Sequence, residues 1–177
     1  KGRVIVDTDE LGNNRDLTRD SQGRVVKIEH VDGSIEEISY NQYGQILTRK
    51  DQAGAVTSLN YDARGLRTKL TDALSNATAF SYDTQDRLAS SADPRGNVTR
   101  FKYNRAGQPI RTIFADGSIS AMEYDRFGKL IAMIDPTGVT ETFVYDVYGR
   151  QVSSVDALGK ETRLEYGSVG QPGTSFH

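Results

Sequence analysis

A tyrosine recurs every 21 residues along this 177-residue chain, at Tyr40, Tyr61, Tyr82, Tyr103, Tyr124, Tyr145 and Tyr166. Asp or Asn follows each but the last: Asn41, Asp62, Asp83, Asn104, Asp125 and Asp146. Four residues after the tyrosine stands glycine, at Gly44, Gly65, Gly107, Gly128, Gly149 and Gly170, with Asp86 the exception. No insertion or deletion breaks the phase. A fixed period of about 20–50 residues is the mark of a repeat architecture, in which each unit buries its apolar surface against its neighbours, and it outranks any local propensity. The phase extends in both directions. Gly2-Arg3-Val4 sits where Gly23-Arg24-Val25 sits one period on, Arg19 stands in the tyrosine's place before Asp20, and Gly170-Gln171-Pro172 repeats Gly107-Gln108-Pro109. A single repeat region over residues 1–177 is expected, without linker or domain boundary. The first residue is Lys1, and the chain is expected to be a fragment of a longer one.

Each period carries two turns. The first is Asp/Asn-x-x-Gly after the tyrosine, as in Asp125-Arg126-Phe127-Gly128. The second begins about ten residues on, at Asp51, Asp72, Asp93, Asp135 and Asp156. Asp or Asn at the first position and Gly at the fourth is the preference of a type I turn. Pro94 and Pro136 sit at the second position, where a φ fixed near −65° fits. At Asp32-Gly33 and Asp116-Gly117 the pair predicts a two-residue hairpin loop instead. Fifteen of the 17 glycines fall on turn positions, so glycine here is punctuation and not a phosphate-binding loop. The tyrosine is missing at Arg19, the second-turn aspartate at His30 and Phe114, and the glycine at Ser75 and Asp86, which puts in question the regularity of the first repeat and of the turns near 75 and 86.

Segments of about six residues, an ordinary strand length, lie between the turns. Those leading into the tyrosine alternate: Thr57-x-Leu59-x-Tyr61, Thr78-x-Phe80-x-Tyr82, Thr99-x-Phe101-x-Tyr103 and, behind Glu141, Phe143-x-Tyr145. Period-2 alternation places these side chains on one face of a strand. The other face is mixed, with Arg100, Lys102, Arg163 and Glu165. The strands after each glycine leave their buried face open: Val25-Val26 and Leu130-Ile131 are apolar on both sides, Arg67-Thr68 polar. Short strands joined by tight turns pair antiparallel. The fold class predicted is all-β: a long antiparallel meander of about 16 strands, running roughly 75–80 Å at about 4.8 Å per strand. A sheet of that length is expected to curve, because open sheets beyond about ten strands curl or split.

Composition narrows function further. Apolar residues are 36% of the chain, against roughly 45–50% in an average domain, so the core should be thin. A formal net charge of −2 with both signs interspersed argues against a nucleic-acid partner. The chain has no cysteine, hence no disulfide framework or thiolate metal site. No apolar run approaches the roughly 18 residues of a membrane span. His30 and His177 are the only histidines and neither has a recurrent partner, so no catalytic, metal or cofactor site is expected. The aspartate columns raise the question of calcium, which needs six to eight oxygens from a dense loop; capping of turns by the Asp side chain explains them more simply.

The succession Tyr-Asp-x-x-Gly-Arg, an apolar residue, Asp-x-x-Gly and Thr-x-Phe-x-Tyr resembles the YD (tyrosine-aspartate) repeats of the Rhs family. Tyr145-Asp146-Val147-Tyr148-Gly149-Arg150 and Tyr124-Asp125-Arg126-Phe127-Gly128-Lys129-Leu130 are close matches, and the resemblance covers essentially the whole chain. It implies a β-sheet spiralling into a hollow shell. Bacterial members are large exported toxins whose shell encloses a C-terminal toxic domain, and toxin-complex components and animal teneurins use similar shells. Shells of this kind often end in an aspartate autoprotease motif containing Asp-Pro-x-Gly. Asp93-Pro94-Arg95-Gly96 and Asp135-Pro136-Thr137-Gly138 look like it but sit in phase with ordinary second turns, and they are read as turns.

On this reading the chain is a secreted or cell-surface structural module, not an enzyme. Its partners would be the rest of the parent chain and an enclosed toxin domain, with self-association through unpaired edge strands. The positions expected to carry the structure are the seven tyrosines, Gly44, Gly65, Gly107, Gly128 and Gly149, the aspartates Asp51, Asp72, Asp93, Asp135 and Asp156, and Phe80, Phe101 and Phe143. The alternative is a carbohydrate-binding or adhesion module that stacks sugars on an exposed tyrosine column.

Overall fold

The structure is a computed structural model that describes residues 3–8, 14–166 and 172–176. The expected turns at 9–12 and 167–170, and His177, lie outside the described residues. Those described form seventeen strands and no helix. The contacts group them into two compact units, Lys1–Tyr82 with Ala92–Gly96 and Asp83–Ser91 with Asn97–His177.

The first unit holds β1 (Arg3–Thr8), β2 (Asn14–Arg19), β3 (Val25–Glu29), β4 (Ile35–Tyr40), β5 (Ile46–Lys50), β6 (Val56–Tyr61), β7 (Arg67–Thr71) and β8 (Ala77–Tyr82). From β1 to β7, each pairs antiparallel with the strand that follows it. After β9 (Leu88–Ala92), the second unit continues the pattern. Its strands are β10 (Val98–Tyr103), β11 (Pro109–Ile113), β12 (Ile119–Tyr124), β13 (Leu130–Ile134), β14 (Thr140–Tyr145), β15 (Gln151–Val155), β16 (Glu161–Tyr166) and β17 (Pro172–Phe176). These too pair in chain order, antiparallel throughout. Each unit is thus an antiparallel meander whose pairings are all between chain neighbours.

The turns explain why the strands stop where they do. In Asn104–Gly107 the Gly107 amide donates to the Asn104 carbonyl at 3.1 Å, and the Asn104 amide donates to the Gln108 carbonyl at 3.0 Å. Gly107 has φ +84°. This is a type I turn closed by a left-handed residue, the three-residue hairpin loop with its glycine bulge. The same two bonds recur around Ser75 and Asp86, which adopt φ 66° and 62° in glycine's place. Those turns are regular, contrary to the doubt their sequence raises.

A second expectation is corrected. Asp32-Gly33 and Asp116-Gly117 are not two-residue loops. The Gly33 amide donates to the His30 carbonyl and the His30 amide to the Ser34 carbonyl, and Phe114, Gly117 and Ser118 do the same. A two-residue Asp-Gly loop needs positive φ at both residues, and Asp32 and Asp116 are not among the residues with positive φ. His30 and Phe114 take the first turn position, so the repeat's phase prevails over the local dipeptide preference.

In the registers described, each strand ending at the tyrosine position carries a bulge just before it. Between β12 and β13, Glu123 faces Ala132 but Tyr124 faces Leu130, so Ile131 is extra. The same slip occurs at Thr18/Arg19, Ser39/Tyr40, Asn60/Tyr61, Lys102/Tyr103, Val144/Tyr145 and Glu165/Tyr166. A bulge bends its strand and adds twist.

The alternation on the tyrosine strands appears as expected: on β10, Thr99, Phe101 and Tyr103 are half-buried while Arg100 and Lys102 are exposed. Phe80 and Phe143 are half-buried likewise. Yet almost nothing is fully covered. Leu17 and Ala132, each 7% exposed, are the buried apolar residues among those described. The accessible surface is 12236 Å², where a compact monomer of this mass would show about 8,500 Å². The strands after each glycine bury neither face; their most covered residues, Ala132 and Ser153, are small. Stability therefore rests on what joins one repeat to the next.

Candidate functional site

The tyrosines and the first-turn residues that follow them form one recurring structure, the junction between successive repeats. Each tyrosine ends its strand, where its backbone faces the first residue of the following strand. Its side chain reaches the other way. The Tyr103 hydroxyl donates to the Leu88 carbonyl at 3.0 Å, the first residue of β9. Tyr40 does the same to Val25, Tyr61 to Ile46, Tyr82 to Arg67, Tyr124 to Pro109, Tyr145 to Leu130 and Tyr166 to Gln151, over distances of 2.7 to 3.0 Å. The acceptor is always fifteen residues back; for Tyr61, Tyr82, Tyr124, Tyr145 and Tyr166 it lies at the bulge made by the preceding tyrosine, and for Tyr40 at the bulge before Arg19. A bulge interrupts the ladder, and the next repeat's phenol supplies a donor there.

The residue after the tyrosine caps the turn. Asp62 Oδ1 accepts the Arg64 amide at 3.0 Å and the Leu66 amide at 2.9 Å. Asn104 does likewise with the Ala106 and Gln108 amides. The second-turn aspartates follow suit: Asp72 with Leu74 and Asn76, Asp135 with Thr137 and Val139, Asp156 with Leu158 and Lys160. Asp51 accepts the Ala55 amide and Asp93 the Arg95 amide. Asp93-Pro94-Arg95-Gly96 and Asp135-Pro136-Thr137-Gly138 close as the other turns do. Where His30 and Phe114 take the first position, Asp32 and Asp116 accept the amide and hydroxyl of Ser34 and Ser118 from within the loop.

These bonds favour the charged carboxylate. The Leu66 amide, with Arg64 beside it, draws Asp62 below the usual aspartate range; partial desolvation opposes the shift. The Asn76 side chain and amide do this for Asp72, and the Thr137 hydroxyl leads for Asp135. Their Oδ1 atoms are engaged by backbone donors, and among the described residues no group of three His, Asp or Glu side chains is arranged to hold a metal.

The residue after the glycine has a role that sequence reasoning missed. Arg24 forms an ion pair with Asp20 of its own turn at 2.6 Å, donates to the Asn41 carbonyl of the next turn at 3.1 Å, and lies 4.7 Å from the Tyr40 ring centroid. Arg87 repeats all three contacts, with Asp83, Asn104 and Tyr103. Arg150 pairs with Asp146 and covers Tyr166, and Lys129 covers Tyr145 and donates to the Gly149 carbonyl. At Gln45 and Gln108 the amide makes the forward bond, to the Gly65 and Gly128 carbonyls. The signal was in the sequence: the position is long and polar in six of the seven turns from Arg24 to Arg150, with Leu66 the exception. Its target, one repeat ahead, appears only in the fold.

His30 gains a local partner instead of a recurrent one. Its Nε2 lies 3.1 Å from Glu36 Oε1 and 2.8 Å from Gln52 Nε2, while Arg49 donates to Glu36 at 3.0 Å. The Arg49 guanidinium holds the Glu36 carboxyl below its usual range. The cluster joins β4 and β5 to the turns that hold His30 and Gln52 and has no nucleophile in it.

Comparison with known proteins places this arrangement. The Teneurin YD-shell family model matches residues 20–172. No curated protein matches the sequence. Among solved structures, the crystal structure of TcdB2-TccC3-TEV aligns with a TM-score of 0.69 at 18% identity, over 97% of this chain and 11% of that one. TcdB2-TccC3 without its hypervariable C-terminal region aligns with a TM-score of 0.54 at 11% identity, over 96% of this chain and 12% of that one. TcdB2-TccC3 itself gives 0.51 at 11%, over 96% of this chain and 14% of that one. The chain thus spans about a tenth of the length of the solved chains it matches, and at these identities the likeness is one of fold. Tyrosine, capping aspartate, left-handed glycine and forward-reaching cation recur in phase across the matched span: the chain belongs to the Teneurin YD-shell family.

Proposed function

We propose that this chain is a stretch of wall in the encapsulating shell of an exported Rhs-type toxin protein, and that the shell sequesters a C-terminal toxic domain. The observation that carries the reading is the junction itself. Within each unit a phenol joins each repeat to the one before it, and a cation or amide after the turn adds a forward contact except at Leu66, so the sheet lengthens by addition of like units without needing a thick core. Membership of a YD-shell family supports it, as does likeness of fold to parts of TcdB2-TccC3. Two wet faces suit a wall: a lining of mixed polarity such as Arg100, Lys102, Arg163 and Glu165 offers an enclosed chain few of the apolar contacts that stabilise a native fold. The role is structural and not enzymatic, the whole of residues 1–177 acting as one repeat region. The tyrosine, glycine and aspartate columns and Phe80, Phe101 and Phe143 are its framework. The partners are the rest of the parent chain and its enclosed domain.

A sugar platform fits the junction less well. The tyrosine hydroxyls are spent as staples, and cations cover the rings of Tyr40, Tyr103, Tyr145 and Tyr166.

The test is limited proteolysis of the full parent protein beside its C-terminal segment expressed alone. The expected result is a segment that resists protease inside the parent and is cut when free. Equal rates of cutting in both would overturn the proposal.

A further inference from the structure

Two successive first turns of the second unit, Asn104–Gly107 and Asp125–Gly128, flank an open cleft of about 610 Å³. Its polar lining is unequal. The Asn104 and Gln108 amides are bonded to each other and to the turns around them. Asp125 Oδ1 accepts the Phe127 and Lys129 amides. That leaves two exposed guanidiniums. Among the described residues Arg105 has no ion pair or side-chain hydrogen bond, and Arg126 only stacks on Phe127, 4.6 Å from its ring centroid. Beside four other first turns a cation pairs with the turn's own carboxylate: Arg24 with Asp20, Arg64 with Asp62, Arg87 with Asp83, Arg150 with Asp146. A chain of net charge −2 therefore holds a local pair of uncompensated cations. Apolar tips adjoin them. Phe127 is 72% exposed, and the next turn of the row adds Val147 and Tyr148, 94% and 82% exposed.

We propose that this row of turn tips binds an acidic, proline-rich peptide segment in extended form. Charge selects the carboxylates, and Phe127 with Tyr148, which stay largely exposed although Arg126 and Arg150 lie over their rings, offers aromatic surface of the kind that receives polyproline chains. Spacing selects the backbone. Successive first turns are two strands apart, about 9.6 Å, and a polyproline II chain repeats every three residues at about 3.1 Å each, roughly 9.3 Å. An acidic residue at every third position would meet Arg105 and Arg126 in turn, with the prolines that follow on the tips of Phe127 and Tyr148. The cleft is open along the row, so a chain crossing several turns gains more contact there than a compact small molecule.

The probe is a fluorescein-labelled peptide of Glu-Pro-Pro triplets titrated with this chain and followed by fluorescence anisotropy. Saturable binding is expected, weakening as salt rises from about 0.02 to about 0.3 M, with none for Lys-Pro-Pro triplets. Arg105→Gln/Arg126→Gln should weaken it about three- to tenfold, and Phe127→Ala by a similar factor. These side chains are exposed and hold no backbone group, so an unchanged circular dichroism spectrum accompanies the loss. The charge-matched Arg49→Gln/Lys50→Gln in the first unit should bind as wild type. No saturation by the acidic peptide at millimolar protein, equal binding by the Arg105/Arg126 variant, or tighter binding of a thymidine oligonucleotide would each overturn the proposal.

Discussion

Gly107, Ser75 and Asp86 occupy the same place in their turns, and all three adopt positive φ. Glycine reaches that region without strain, whereas other L-residues incur roughly 1–2 kcal/mol, less for Asp or Asn. An added Cβ at Gly107 would meet nothing within 4 Å, so a substitution there tests backbone conformation alone. Gly107→Ala should lower stability by about 1 kcal/mol and Gly107→Asp by distinctly less, read from urea midpoints at unchanged m. Equal midpoints for Ala and Gly would mean the loop does not hold the left-handed residue in solution. The tyrosine shows a different logic at the same scale. Its position was plain in the sequence, but its partner is a carbonyl fifteen residues back, which no local rule indicates.

At the scale of the hairpin, the caps make the fold sensitive to acid. Asp62, Asp72 and Asp135 are drawn below their usual range, chiefly by the Leu66 amide, the Asn76 side chain and the Thr137 hydroxyl respectively. A carboxyl with a depressed folded-state pKa contributes stability that is fully present above its unfolded value of about 3.9. That contribution is lost as pH falls through the lower folded value. Urea midpoints should therefore be flat between about pH 5 and 7 and decline below about pH 4. Asn41 and Asn104 show that an amide accepts the same two backbone bonds. Asp62→Asn/Asp72→Asn/Asp135→Asn should keep the hairpins and flatten the acid limb; a limb as steep as wild type's would locate the sensitivity elsewhere. Much of this element was legible. Asp-x-x-Gly announces a turn because cap, bend and left-handed residue lie within five residues of one another. The Asp32-Gly33 loop was misread because a dipeptide preference was set above the period, when His30 in the first position already kept the count. The bulge before each tyrosine was not legible, since it exists only as a slip between two paired strands. The unpaired Arg105 and Arg126 were hidden for the same reason: which cations find a carboxylate depends on the register.

At the scale of the whole molecule, the scarcity of buried side chains among the described residues decides how stability is distributed. A globular domain shares one core, and damage anywhere is felt everywhere. Here, within each unit, the described strands pair between chain neighbours and buried side chains are few, so the free energy should be close to a sum of repeat and junction terms. Tyr61→Phe separates the two cases. It removes only the hydroxyl that donates to Ile46 at 3.0 Å and leaves the ring, costing about 1 kcal/mol. If the junctions act one by one, native-state amide exchange should quicken about fivefold in β5, β6 and β7. Exchange in β12, β13 and β14 should stay at the wild-type rate. Equal acceleration in both sets would show a single cooperative unit, and the junctions would then be contributors to a common fold instead of its separable joints. Local loss is the outcome that suits a wall, because a wall must tolerate one weak course without opening along its length.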